Sequence, residues 1–161
     1  MSIWIFSNNK VGYYEDSDWD TSTILKHKRY YLKTSEPSRT KVAAGDRVIL
    51  REYGTGLWGL CEISGDWTDD PEAKEKHEMA AGWFPISKVH KWETTLPYEL
   101  VKEDLSNQNH RHRIAKSTEV DLSTIQLALR VYLRLCYGVT DGDFFVLEAG
   151  LEEAVKANLK Q

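Results

Sequence analysis

Two tryptophans stand where tryptophan has little reason to be. Trp19 lies in Asp18-Trp19-Asp20-Thr21-Ser22 and Trp67 in Ser64-Gly65-Asp66-Trp67-Thr68-Asp69-Asp70, both among turn-forming polar residues. An indole exposed on a turn costs hydration unless a ligand covers it. Indole faces stack on flat, polarisable rings, and a nucleobase gains roughly 1–3 kcal/mol for each aromatic it stacks on. Two basic runs accompany them: Lys26, His27, Lys28, Arg29 and Lys33, then His110, Arg111, His112, Arg113 and Lys116. Such cations hold phosphates while a base leaves its stack for a pocket, although a solvated surface face is the ordinary reading of a short charge run. Trp4, Trp58 and Trp92 sit in apolar strand-like runs and read as core, and Trp83 follows a glycine at a strand start.

Other chemistries find less support. Gly54-Thr55-Gly56 is too short for a phosphate loop and leads into a strand instead of a helix. None of the five histidines, His27, His77, His90, His110 and His112, stands four residues from another with a Glu between. His110 and His112 share one side of an extended segment, but the neighbouring arginines repel a cation, so neither a metal nor another cofactor is expected. The acid pairs Asp69-Asp70, Asp141 with Asp143 and Glu152-Glu153 fall in turns or at helix starts, where a carboxylate serves backbone amides. No serine sits in a Gly-x-Ser-x-Gly elbow. The chain reads as a binding module with no catalytic residues. One rival is a small toxin-like RNase using His110, His112 and Lys116; another is an adaptor that dimerises through a helix over 123–137.

The chain has 161 residues, which suits one domain with a tail, and a net charge of −4. That charge excludes coating nucleic acid by bulk electrostatics, so recognition has to rest on local patches. Cys61 and Cys136 are the only cysteines, too few for a disulfide framework or a four-cysteine zinc site. No run is long enough for a membrane span or a signal peptide, so a soluble, cytoplasmic protein is expected.

The elements that must position these residues begin with a strand at Ile3-Trp4-Ile5-Phe6, ended by the turn cluster Ser7-Asn8-Asn9. Residues 21–31 read as a short amphipathic helix or an irregular basic connection. A hairpin follows, with Val48-Ile49-Leu50 and Leu57-Trp58-Gly59-Leu60-Cys61-Glu62-Ile63 as its arms. Residues 71–81 read as a charged loop or short helix. Trp83-Phe84-Pro85-Ile86 and Val89-His90-Lys91-Trp92 suggest a strand pair, with Pro85 at an edge or bend. The strongest helix opens at Asp121-Leu122-Ser123, where Ser123 and Gln126 suggest a capping box. Its core stripe is Ile125, Ala128, Leu129, Leu133 and Cys136, and Gly138 ends it. Leu127, Val131 and Leu135 widen the apolar face and point to a sandwiched helix or a protein partner, a homodimer included. A last helix is expected over 151–159. About five strands precede about two helices without regular alternation, which predicts an α+β domain around a curled, mostly antiparallel sheet or barrel.

These segments resemble the EVE domains and the related YTH domains of the PUA-like superfamily. The resemblance rests on Ile3-Trp4-Ile5-Phe6 with Ser7-Asn8, on Ala44-Gly45-Asp46-Arg47-Val48, on Leu57 through Ile63, on Trp83, and on the closing part of the domain with Asn107, Asn109 and Ser117-Thr118-Glu119-Val120. It covers residues 1–120 and leaves 121–161 as a helical C-terminal extension packing on the domain or on a partner. It implies a PUA-like curled β-barrel of five to six strands flanked by helices. Such domains bind DNA or RNA carrying a modified base, N6-methyladenine or a modified cytosine, flipped into an aromatic cage; bacterial ones often form the specificity part of modification-dependent restriction systems. The resemblance implies Trp19 as a cage wall with Trp67 or Trp83 facing it, and Ser7, Asn8 and Asn9 as polar contacts to base or sugar. The basic residues Lys28, Arg29, Lys33, Arg111 and Arg113 would then hold the backbone.

Overall fold

Strand β1 (Ile3–Asn8) is buried along all six residues, the condition of a strand with covered faces on both sides. Its side chains alternate, as an extended chain requires: Ile3 and Ile5 join one core cluster, Trp4 and Phe6 a second on the opposite face. The computed structural model of the chain describes residues 1–8, 21–32, 39–71, 82–106 and 113–138. All of the expected loop over 71–81 except Pro71, the helix over 151–159 and the whole segment 107–112 lie outside them.

Beside β1 run β3 (Arg47–Glu52), parallel, and β7 (Ile114–Ser117), antiparallel. The sheet continues through β4 (Gly56–Ile63) and β6 (Gly82–Leu96) to β2 (Arg29–Leu32), with the two-residue β5 (Thr68–Asp69) also on β6, giving seven strands in the order β2-β6-β4-β3-β1-β7. Helix α1 (Thr21–His27) packs Ile24 into the Trp4/Phe6 cluster, and α2 (Glu119–Tyr137) packs Leu122, Ile125 and Leu129 into the Ile3/Ile5 cluster. This is the expected α+β, PUA-like arrangement, a mixed sheet curled into a half-barrel between two helices.

Two local devices curl the sheet. In β3 and β4, Leu50 opposes Gly59 and Arg51 opposes Leu57, so Trp58 is the extra residue of a β-bulge. In β6, Lys88 has a positive φ of 49° and the register to β4 shifts beside it. The expected strand pair around Pro85 is therefore one bent 15-residue strand. A break in alternation looks like a turn in the sequence, whereas a bulge interrupts the pattern without ending the ladder. Residues 82–85 of β6 pair with β2, two of them also with β5, and residues 86–96, on both sides of the bend, pair with β4.

Other boundaries also move. Ser7 and Asn8 extend β1 instead of ending it, because Arg51 and Glu52 of β3 pair with them and the Ser7 N–H donates to Arg113 O at 2.8 Å. Strands β2 and β7, four residues each, form on basic stretches whose patterns are too short to show in the sequence. Helix α2 starts at Glu119, ahead of the expected Asp121. Its cap is Thr118, whose hydroxyl accepts from the Asp121 N–H at 3.1 Å, so the reading with Ser123 and Gln126 is corrected. Gly138 ends the helix in the left-handed region, φ 68°, where glycine alone carries no Cβ penalty.

Two buried aspartates tie the ends of the sheet to its surroundings. Asp46 accepts from the Trp4 Nε1–H at 2.9 Å, the Ser2 N–H at 2.9 Å and the Ala43 N–H at 3.0 Å. Asp121 accepts from the Ser106 hydroxyl at 2.6 Å, the Ser106 N–H at 3.0 Å and the Ser117 hydroxyl at 3.1 Å. Burial pushes each carboxyl up, but these donors outweigh it and hold both below the ordinary carboxylate value. A depressed carboxyl contributes stability that is complete above its unfolded pKa and disappears as pH falls through its folded one. Urea unfolding should therefore show stability constant from pH 7 to about 5 and falling below about 4, close to the unfolded value. Asp121→Asn should cost about 2–3 kcal/mol at pH 7 and flatten that acid slope. An unchanged slope in this variant would contradict the assignment.

Candidate nucleic-acid interface

The end of β1 carries a chain of directed hydrogen bonds. The Trp58 Nε1–H donates to Asn8 Oδ1 at 3.0 Å, Asn8 Nδ2 donates to Thr21 Oγ1 at 2.9 Å, and the Thr21 hydroxyl donates to Glu52 Oε1 at 2.8 Å. An indole N–H only donates, so the amide oxygen of Asn8 has to face Trp58 and its NH2 has to face Thr21. Asn8 is thus locked in one orientation, 1 % exposed. The Trp58 bulge turns the donor toward it, and Thr21, the first residue of α1, pins that helix to the sheet.

Ser7, also buried, points to the other face. Its carbonyl accepts from the Arg113 guanidinium at 3.2 Å, and its hydroxyl has no hydrogen-bond partner among the described residues. Arg51, its register neighbour on β3, lies 3.8 Å from the centre of the Tyr98 ring and 5.0 Å from that of Tyr53. Arg113 lies 5.6 Å from the Tyr53 ring, while the Tyr53 N–H donates to Asn8 O at 2.9 Å. Two guanidiniums thus flank one tyrosine beside the end of β1, on the Ser7 side of the sheet, a cation pair on an aromatic rim. Burial raises the Tyr98 phenol despite the opposing influence of Arg51, which keeps it a neutral stacking surface at physiological pH.

An aromatic path leads away from Asn8 on its own face. Phe6 contacts Tyr30 edge-on at 5.0 Å and Phe84 at 6.5 Å, and Phe84 meets Trp67 edge-on at 5.3 Å. Trp67 is half-buried against this cluster. Its N–H donates to Asp69 Oδ1 at 2.8 Å, and Arg39 lies 4.6 Å over its ring. Its seat depends on Gly82, since a Cβ there would lie 2.4 Å from the indole carbon Cζ2.

The structure brings Asn8 and Trp67 to one aromatic face and leaves Trp83 apart. Gly82 and Phe84 turn toward Trp67, so the intervening Trp83 faces the other side of β6, with Arg29 at 4.2 Å over its ring. Lys28 is exposed at the turn between α1 and β2, in a left-handed conformation with φ 55°. Lys116 sits at the opposite end of β1, beside Ser2 and Trp4. Trp19, Asn9, Lys33, Arg111, His110 and His112 lie outside the described residues. Sequence reasoning missed Thr21, Arg51, Glu52, Tyr53 and Tyr98, and it took Trp58 as core alone. Trp58 is indeed buried, yet its N–H sets the orientation of Asn8. The one signal available was Glu52-Tyr53 directly after an apolar strand, and it is common at strand ends.

No family model matches the chain, and no curated protein matches its sequence. Solved structures do share its fold. Human THYN1 in complex with 5-methylcytosine containing DNA superposes with a TM-score of 0.62 at 12 % identity, over 80 % of this chain and 98 % of that one. The Pseudomonas syringae protein PSPTO5229 gives 0.56 at 16 %, over 80 % and 99 %. The Mmi1 YTH domain in complex with RNA gives 0.53 at 14 %, over 83 % and 80 %. With the curled mixed sheet and its two flanking helices, these likenesses show that the chain shares the fold of these proteins, the fold that its resemblance to EVE and YTH domains implied.

Proposed function

We propose that the protein binds DNA or RNA carrying a modified base, N6-methyladenine or a modified cytosine, and does so without catalysis. In this reading the base leaves its stack and enters beside Asn8, between the indoles of Trp19 and Trp67, while Ser7, Asn8 and Asn9 contact its polar edge or sugar. Lys28, Arg29, Lys33, Arg111 and Arg113 hold the phosphates. Trp83, on the other side of β6, serves the backbone track through its stack with Arg29 and stands outside the cage. As a reader with no chemistry of its own, the protein would act through an associated effector, such as the nuclease of a modification-dependent restriction system.

The observation that carries this reading is the locked Asn8 amide on the same aromatic face as the half-buried Trp67. A site that discriminates by hydrogen bonds needs donors and acceptors whose directions do not relax, because a freely rotating amide accepts several bases equally well. The unpartnered Ser7 hydroxyl and the Arg51/Arg113 pair add support, as a buried donor and a cationic rim suited to a sugar and a phosphate. The neighbours bound to 5-methylcytosine DNA and to RNA support the class of ligand.

Titration against modified and plain oligonucleotides, single- and double-stranded, should show preference for one modification; equal binding by the wild-type protein ends the proposal. Trp67→Ala should lose most of that preference, a loss of about 1–3 kcal/mol in stacking, with the fold intact by circular dichroism. Trp58→Phe keeps an aromatic, though smaller, ring and removes the N–H, so selectivity should fall together with about 1–3 kcal/mol of stability. Arg29→Ala should weaken all sequences alike and lower the slope of log affinity against log salt by about 0.7–0.9 if one phosphate contact is lost.

A further inference from the structure

Helix α2 is apolar on two sides. Leu122, Ile125 and Leu129 face the sheet, while Val120, Leu127 and Leu135 are 74 %, 58 % and 78 % exposed, with Val131 between them. Spacings of seven and four residues put these four on one line along the helix, opposite the buried side. Glu119, Val120, Ser123, Thr124 and Leu127 also line an open groove of about 320 Å3 along its first two turns. We propose that this stripe is the contact between two copies of the chain, packed α2 against α2 in antiparallel orientation about a two-fold axis.

Charge selects both the occupant and the direction. The only acids of α2 are Glu119 and Asp121, in the first turn; its only bases are Arg130 and Arg134, toward the end. Helical periodicity places Glu119, Arg130 and Arg134 along the same edge of the stripe. In an antiparallel two-fold pair that edge meets itself reversed, so Glu119 of one copy, which also pairs with Arg47 of its own chain, approaches Arg130 and Arg134 of the other. A parallel pair would set this edge against the opposite, uncharged edge of the other copy and form no such pairs. Superposing the stripes end to end puts Val120 beside Leu135 of the second copy. A single helix face of about 28 Å lies at the small end of stable interfaces, so the dimer should dissociate on dilution. Asn8 and Trp67 lie on the opposite face of the sheet, so pairing leaves both candidate sites open.

Sedimentation equilibrium of the full chain should show a mass rising with concentration from 18.6 kDa to twice that. Leu127→Glu with Val131→Glu should hold it at the monomer mass with an unchanged melting temperature. Wild-type protein that stays monomeric at all concentrations overturns the proposal. So does dimerisation that appears only after residues 139–161 are removed, because the chain's own C-terminal residues then occupy the stripe. Orientation is read separately: in a Cys136→Ser background, Val120→Cys combined with Leu135→Cys and oxidised with diamide should link position 120 of one copy to position 135 of the other. A 120 to 120 or 135 to 135 link instead indicates parallel helices and refutes the arrangement. Neither readout involves nucleic acid, so both are independent of the function proposed above.

Discussion

A strand covered on both faces that ends in two polar residues is the constraint around which this molecule is built. Ser7 and Asn8 are as buried as the apolar residues before them, and burying an amide without partners costs several kcal/mol. The fold answers with Trp58 and Thr21 for the Asn8 side chain, Thr21 being held in turn by Glu52, and with Arg113 for the Ser7 backbone. Each donor or acceptor comes from a different part of the chain. Satisfying one amide therefore fixes the bulge in β4, the start of α1 and the approach of β7 relative to one another.

The same strand separates two kinds of surface. On the Trp4/Phe6 side, the curl of β6 wraps aromatic rings around a polar point, leaving Trp67 half-exposed at the rim. On the Ile3/Ile5 side, α2 seals an aliphatic core and turns a second apolar line outward. The two aspartate hubs hold the boundaries of this arrangement: Asp46 where the chain enters the sheet, Asp121 where β7 passes into α2. Neither acid is free to act as a proton shuttle, because hydrogen bonds already stabilise its ionised form. Catalytic acids need the opposite environment, one that favours the protonated form near neutral pH.

Much of the architecture was legible in the residue pattern. Val48-Ile49-Leu50 and Leu57 through Ile63 announced their hairpin, and the helix ending at Gly138 showed its core stripe through Ile125 and Leu129. Boundaries were less legible where tertiary pairing overrode local preference. Ser7-Asn8 has turn chemistry, yet the unpaired edges of β3 and β7 extended the strand through it. Pro85 and Lys88 suggested a break in β6, but a bulge absorbed both. In α2, Thr118 won the cap over Ser123 because Asp121 was drawn into the Ser106 and Ser117 network, which placed the first helical turn earlier.

By itself the sequence determined which residues are candidates: indoles stranded in polar turns, polar side chains after an apolar strand, and basic runs in a chain of negative net charge. Those are properties of residue type and near neighbours, and they need no fold to be seen. Tertiary structure alone decided which candidates meet. That Asn8 is oriented by Trp58, that Arg51 and Arg113 flank Tyr53, and that Trp67 and Trp83 lie on opposite sides of one strand depend on register and bulges. A shift of one residue reverses every side chain of a strand, and the choice of register is made by the summed packing of the whole sheet.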